Sequence, residues 1–395
     1  MPRSIALVIC AILLFACSQF SNSDLLIFKE VQLPVGEGSA FPQMIEQDGK
    51  LYLSWTEEGE EISRLKMAVL DKEKWSEPIE LASGKDWFVN WADFPEIFMD
   101  EHGDMYAHHL AKTAEDTYAY GVNVSRKKAA EDFFEALGTP YTDTSHTEHG
   151  FVSFFNLPDG DPGVVWLDGR KYKSDKKEMS LRTAKIAEDG SFYDEFEIDG
   201  RTCDCCQTDA AQTASGAIVV YRDRSEGEVR DIYRSIYKDG KWQKGAPVAE
   251  DAWVINGCPV NGPAVAAEGD RVAVAWFTMA NDSPRVKLAI SEDGGAFFGK
   301  TIRIDKGNAI GRVDLLWHEG EIYVSWMERD ASNQGELLLR KVDRNANLTE
   351  PQLVREMSSA RASGFPIMIK RENRLNLAYT EEGEIPRIRM WEATL

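Results

Sequence analysis

The chain of 395 residues carries 66 acidic against 45 basic side chains, a formal net charge of -21, which excludes a nucleic-acid partner held by a basic surface. Its 43% hydrophobic and 28% charged content is that of a globular protein and excludes a disordered or collagen-like chain. Beyond the N-terminus no stretch reaches the roughly 20 apolar residues that cross a bilayer as a helix.

Arg3 precedes an apolar run from Ile5 to Phe15 that is too short to span a membrane and reads as a signal peptide. The run ends in Leu14-Phe15-Ala16-Cys17, which resembles the lipobox of bacterial lipoproteins. That resemblance implies that Cys17 is lipidated and becomes the mature N-terminus, and Ser18 after it implies the outer membrane of a Gram-negative cell. Residues 1–17 are then the signal peptide, 18–24 a short tether and 25–395 a single folded domain, in contact with the membrane through its lipid anchor alone.

From there the chain repeats itself. Leu51-Tyr-Leu-Ser-Trp55, Met105-Tyr-Ala-His-His109, Gly163-Val-Val-Trp166, Ile218-Val-Val-Tyr221, Val272-Ala-Val-Ala-Trp276, Ile322-Tyr-Val-Ser-Trp326 and Leu375-Asn-Leu-Ala-Tyr379 recur about every 54 residues, a blade-sized period. Alternating apolar positions after turns such as Asp48-Gly49, His102-Gly103 and Glu319-Gly320 argue strands. Each is preceded by another short strand (Phe41-Pro-Gln-Met44, Phe94-Pro-Glu-Ile97 and their counterparts) and followed by a third, such as Leu65-Lys-Met-Ala-Val69. A fourth, such as Pro78-Ile-Glu-Leu81, closes most units. The expected fold is an all-β propeller of four-stranded antiparallel blades. Seven blades are counted, or six if one unit is an insertion. The last unit runs out after Ile388-Arg-Met-Trp391, so the segment Leu26 to Leu33 is expected to supply its fourth strand and close the ring. Blade 2 departs furthest from the pattern: His109 replaces the aromatic, and Lys127 to Ala136 reads as a short helix.

Loops entering the first strand and leaving the second share one face of a propeller. They hold the chemistry-bearing residues: entry segments Asn90–Asp93, Ser145–His149, Cys203–Asp209, Gly257–Gly262, Gly311–Arg312 and Arg361–Gly364, and exit segments Asp168–Arg170, Tyr221–Arg224, Met327–Arg329 and Thr380–Glu382. On the opposite face, Ser291-Glu-Asp293-Gly-Gly295-Ala-Phe-Phe298 resembles the Asp box of sialidases and related propellers. The resemblance covers most of the chain as blade architecture, and this one motif closely. It implies an acidic-glycan ligand and exo-α-sialidase-type glycoside hydrolysis, with arginines gripping a sugar carboxylate, a Tyr nucleophile paired with Glu and an Asp acid/base. The residues here that match by type and face are Arg170, Arg222, Arg224, Arg312 and Arg361, with Asp168, Asp209, Asp314, Glu328, Tyr221 and Tyr379. The early arginine motif of that family has no counterpart, since Phe41-Pro42 and Phe94-Pro95 stand in its place.

Beyond Cys10 and Cys17, all thiols fall in two adjacent entry loops: Cys203, Cys205, Cys206 and Cys258. In an exported protein they read as two disulfides joining blades 4 and 5, as a copper or zinc site, or as a redox centre. His108, His109, His146 and His149 gather on blades 2 and 3 and are expected to be hydrogen-bonded or solvated side chains, or else metal ligands. A metal-binding or redox lipoprotein is therefore a second reading of function. A third is a non-catalytic scaffold for an envelope protein partner.

Overall fold

The computed structural model describes residues 25–174 and 177–395; Cys17, the signal peptide and the tether lie outside these residues. Seven antiparallel sheets succeed one another from Lys29 to Thr394, which settles the blade count at seven. The first strands of the blades are Ser39–Gln47, Ile97–Met99, His149–Asn156, Asp209–Thr213, Ala264–Glu268, Ala309–His318 and Ile367–Arg371. They follow ring order: the blade 1 strand packs against those of blades 2 and 7, and each strand from blade 3 to blade 6 against the next. The expected closure is present: Lys29–Val31 pairs antiparallel with Arg387–Thr394, and Glu30 sits opposite Trp391. Among the described residues no helix is long and apolar enough to cross a membrane.

The repeat produces this fold because the second strand of every blade but blade 2 carries buried apolar residues on both faces and a large ring near its end. Trp55, Trp166, Trp276 and Trp326 are fully buried there, and Tyr221 and Tyr379 take the same place in blades 4 and 7. Truncating such a residue costs about 3–5 kcal/mol. The indole N–H groups find acids. Trp55 donates to Glu57 at 2.8 Å, Trp166 to Asp168 at 2.8 Å, Trp326 to Glu328 at 2.7 Å and Trp276 to Asp251 at 2.8 Å. Hairpins such as Asp48-Gly49 and Glu319-Gly320 carry positive φ at both turn residues, 52° and 75° in one and 51° and 77° in the other, the twist that two-residue hairpins favour. In blade 2, His109 substitutes for the missing ring by stacking on Trp87 with centroids 4.4 Å apart. The expected helix there is absent: residues 128–134 form turns and Glu135–Gly138 is the fourth strand. Leu137 packs against the blade 2 and 3 core there, and the pairing of Glu135 with Arg126 overrides the local helical preference.

Three first strands are kinked at their entry. Phe41, Phe151 and Arg312 have φ of 56°, 53° and 53°, a conformation unfavourable for bulky residues, and each sits in a break of strand register. The rings of Phe41, Phe94, Phe365 and Trp91 then form a collar on this face, with centroid separations of 5.8–6.3 Å. Gln207 ties three entry loops together: its side-chain amide donates to Ala92 O at 2.6 Å and accepts from Gly262 N at 3.0 Å.

Candidate functional site

An open cavity of about 710 Å³ lies on the entry-loop face, walled by the loops of blades 2, 3, 4, 5 and 7. Its apolar surface comes from Phe88, Trp91, Tyr118, Phe151 and Tyr172, and its carboxylates from Asp116, Glu148 and Asp204. Arg361, Lys173 and His146 are the basic groups on the wall, and Cys205 and Cys258 are its thiols. The pattern of an aromatic lining with a few convergent polar groups is that of a small-ligand site.

The carboxyl groups at the wall between blades 2 and 3 are unusual. Tyr120, buried beneath Phe88 with ring centroids 3.9 Å apart, donates to Glu148 Oε1 at 2.6 Å and also lies 3.1 Å from Asp93 Oδ2. Asp93 accepts from Phe151 N at 2.8 Å and fits because position 150 is glycine, where a Cβ would stand 2.0 Å from the carboxylate oxygen. Burial pushes Asp93 up to about 7 and Glu148 up to about 8, so a carboxylic acid is available at neutral pH. Asp204 accepts from Tyr172 Oη and, at 3.2 Å, from Arg230 Nη1, and so is fixed in orientation.

The residues expected from the sequence separate into scaffold and cavity. Arg222 is buried, stacks on Trp253 at 5.0 Å and donates to the carbonyls of Asn261, Arg230 and Phe277. Arg312 is buried between Trp91 and Phe365, and donates to Ser363 Oγ and to the carbonyls of Gly364 and Ala360 at 2.8–2.9 Å. Both are therefore inter-blade staples whose donors are spent on backbone carbonyls and, for Arg312, also on Ser363 Oγ. Arg170 is held by Asp168 and Glu195, each at 2.7 Å, and Arg224 by Glu228. Asp168 and Glu328 are the acids that receive the blade tryptophans. Burial raises Asp168, but Arg170, His149 and Trp166 outweigh it and hold the carboxyl below its usual range. Tyr221 donates to Asp199 at 2.7 Å within the core, and Tyr379 is buried between blades 6 and 7. Asp209 and Asp314 stand on first strands, accept the backbone N–H of Val265 and Met368 in the next blade, and are each pushed up to about 7 by burial. Of the expected catalytic set, only Arg361 reaches the cavity, where it is exposed and lies 5.7 Å from the Trp91 ring centroid.

The cysteine prediction has a spatial counterpart. Cys203 Sγ lies 2.8 Å from Cys206 Sγ and 3.9 Å from Cys205 Sγ, and Cys205 also groups with Cys258 and Asp204. Cys203 and Cys206 are buried, while Cys205 and Cys258 reach the cavity. The histidines do not converge. His108 is buried with Nδ1 accepting from Glu96 N, and burial pushes it down to about 3; His109, under its tryptophan, falls to about 4. His149 is buried against Asp143 and Asp168 at 3.2 and 3.5 Å, leaving His146 alone on the wall. Asp93, Tyr120 and Glu148 went unrecognised as a group in the sequence. Two of them stand in entry segments, but Tyr120 lies on the third strand of the irregular blade 2.

Fold and site together define a seven-bladed β-propeller with a polar and aromatic cavity on its entry-loop face. No protein-family model matches the sequence, and no curated protein matches it. Solved structures do match in fold. A protein of unknown function from Dyadobacter fermentans shares 14% identity at a TM-score of 0.53, over 91% of this chain and 95% of that one. The α-L-arabinofuranosidase Arb93A of Fusarium graminearum, solved with an iminosugar inhibitor, shares 11% identity at a TM-score of 0.51, over 91% and 93%.

Proposed function

We propose that the cavity binds a glycan and hydrolyses a glycosidic bond, with Glu148 as the general acid. The observation that carries this reading is the protonatable Glu148 carboxyl, hydrogen-bonded to Tyr120 and set beside aromatic platforms. A carboxyl group raised by its surroundings protonates the leaving oxygen, while a second carboxylate activates water or attacks the sugar. Asp204, held by Arg230 and Tyr172, is assigned the second role. Arg361 is assigned to a carboxylate on the substrate, because its guanidinium has no carboxylate partner among the described residues and such a group is suited to bidentate capture of one. An acidic sugar is the substrate class that follows.

Kinship with sialidases is part of this proposal and rests on the Ser291–Phe298 turn. There Ser291 Oγ donates to Asp293 at 2.7 Å and accepts from Gly295 N at 3.0 Å, and Asp293 accepts from Phe297 N at 2.9 Å. The fold shared with the arabinofuranosidase is consistent with a glycosidase. Envelope location through a lipid on Cys17, on the outer membrane, completes the proposal and rests on the lipobox resemblance.

The test is a screen of chromogenic glycosides, sialosides and uronosides among them, with purified protein and its Glu148→Gln variant. Turnover of an acidic glycoside that is lost in the variant is expected. Binding and turnover of no glycoside in the panel would reject the reading.

A further inference from the structure

The hydrolytic reading leaves the four cysteines without a role, yet their sulfurs converge where the entry loops of blades 4 and 5 meet. The loop holding Cys203 is pinned at both ends: Cys203 N donates to Arg222 O at 2.9 Å, and Gln207 is bonded to blades 2 and 5. The thiols are thus pre-positioned by contacts other than their own. Arg230, buried, points Nη1 at Cys203 Sγ over 3.4 Å and also pairs with Glu228 at 2.9 Å and Asp204 at 3.2 Å, which fixes the side chain behind the cluster.

Sulfurs bound to one ion at about 2.3 Å in a tetrahedron stand about 3.8 Å apart, as Cys203 and Cys205 do at 3.9 Å; Cys203 and Cys206, at 2.8 Å, stand closer and must part to share an ion. Two ligand triads, Cys203 with Cys205 and Cys206, and Asp204 with Cys205 and Cys258, each have donor atoms within 4.8 Å of one another. They share Cys205. Cys203 and Cys206 form the buried side of the cluster, and Cys205 and Cys258 the side reached from the cavity, which gives an ion its entry path.

We propose that the entry loops of blades 4 and 5 bind a thiophilic closed-shell metal ion, Cu(I) or Zn(II), on the thiolates of Cys203, Cys205, Cys206 and Cys258, with Cys205 as the central ligand. Both ions favour thiolate donors, and binding releases the proton of each thiol that ligates. The site borders the glycan reading at Asp204, which lies beside Cys205 and Cys258 without being one of the four proposed ligands, while Glu148 and Arg361 lie outside it. Metal retention by a glycan-inert protein, or the converse, separates the two.

The experiment takes the purified full-length chain, reduced and stripped of metal. It is titrated anaerobically with Cu(I) or with Zn(II) against a competing chelator, and bound metal and free thiols are counted at each point. Saturation at a fixed whole-number ratio with loss of free thiols is expected for at least one ion. The chelator competition ranks the two ions by affinity. Cys205→Ser is expected to weaken binding by about 100-fold or more, and the exposed Cys258→Ser by about 10-fold. A reduced protein that binds neither ion overturns the proposal without recourse to a variant. So does protein isolated from an oxidising compartment with all four thiols in disulfides and no metal.

Discussion

Tyr120 donates its hydroxyl hydrogen to Glu148 over 2.6 Å while its oxygen lies 3.1 Å from Asp93, so one phenol joins two carboxyl groups that burial holds near neutrality. Such a trio titrates as a unit. Its proton inventory at neutral pH is what an acid catalyst needs.

If Glu148 delivers the proton, kcat/KM is expected to fall above pH of about 8, where the group loses it. Glu148→Gln is expected to lower kcat by about 10²–10⁴-fold and to remove the alkaline limb. Tyr120→Phe takes away a hydrogen bond that lowers Glu148, so the limb should move to higher pH. A pH–rate profile of the three proteins checks this. An unchanged limb in Tyr120→Phe would detach the phenol from the acid.

Arg312 and Arg361 are equivalent by sequence type and face, and opposite in consequence. Arg312→Ala strands the carbonyls of Ala360 and Gly364 and empties the space between Trp91 and Phe365, so a loss of about 3 kcal/mol or more is expected. Arg361→Ala removes an exposed side chain and is expected to change stability by only about 0.5 kcal/mol, while weakening capture of an acidic sugar about tenfold or more. Thermal melts and binding isotherms of both variants distinguish the roles.

The blades were legible in the sequence because one pattern, an apolar strand ending in a large ring, recurs with a constant period and is enforced by burial. The closing strand followed from the unpaired edge at Trp391. The walls of the cavity were legible too, as entry loops, but not which residues serve it. Asp168 and Glu328 have the composition of site acids. What marks them as scaffold is their position two residues after Trp166 and Trp326, repeated by Glu57 after Trp55. Arg312 and Arg361 differ in backbone: the first stands in a positive-φ kink that turns it inward, the second in a short 3-10 turn at the cavity rim. That distinction has no local signature. Tyr120 escaped notice because blade 2 breaks the repeat, with His109 on Trp87 replacing its aromatic.

Four buried acids make stability depend on pH. Asp93, Asp209 and Asp314 are each raised by burial from 3.8 to about 7, and Glu96 is raised by burial, Asp209 and Asp93. An acid raised in the folded state binds protons that the unfolded chain has released. These groups therefore contribute most below their unfolded values, and that contribution is lost as pH rises through about 7. The melting temperature is expected to be higher at pH 5 than at pH 8. Glu96→Gln removes one of the mutually repelling charges, so it should raise the melting temperature at pH 8, by on the order of 2 °C, and much less at pH 5. An equal change at both values would remove charge repulsion as the cause.

The ring is closed by a strand of three residues, and its removal tests how much the closure matters. Lys29–Val31 covers the edge of Arg387–Thr394; Arg389 pairs with Glu30 at 3.0 Å, and Leu26 exchanges two hydrogen bonds with Gln352 at 3.0 and 2.6 Å. Leu26 and Phe28 pack against the core between blades 6 and 7. Without this segment, the last blade presents an open edge of alternating apolar residues, which invites pairing with a second copy. A chain lacking residues 25–33 is expected to melt at lower temperature and to form higher oligomers in light scattering. A synthetic peptide of residues 25–34 should restore both, because it can add to the same edge as a strand. If melting and size are the same with and without the segment, the blade 7 core and its neighbours suffice to hold the ring, and the N-terminal strand is an accessory.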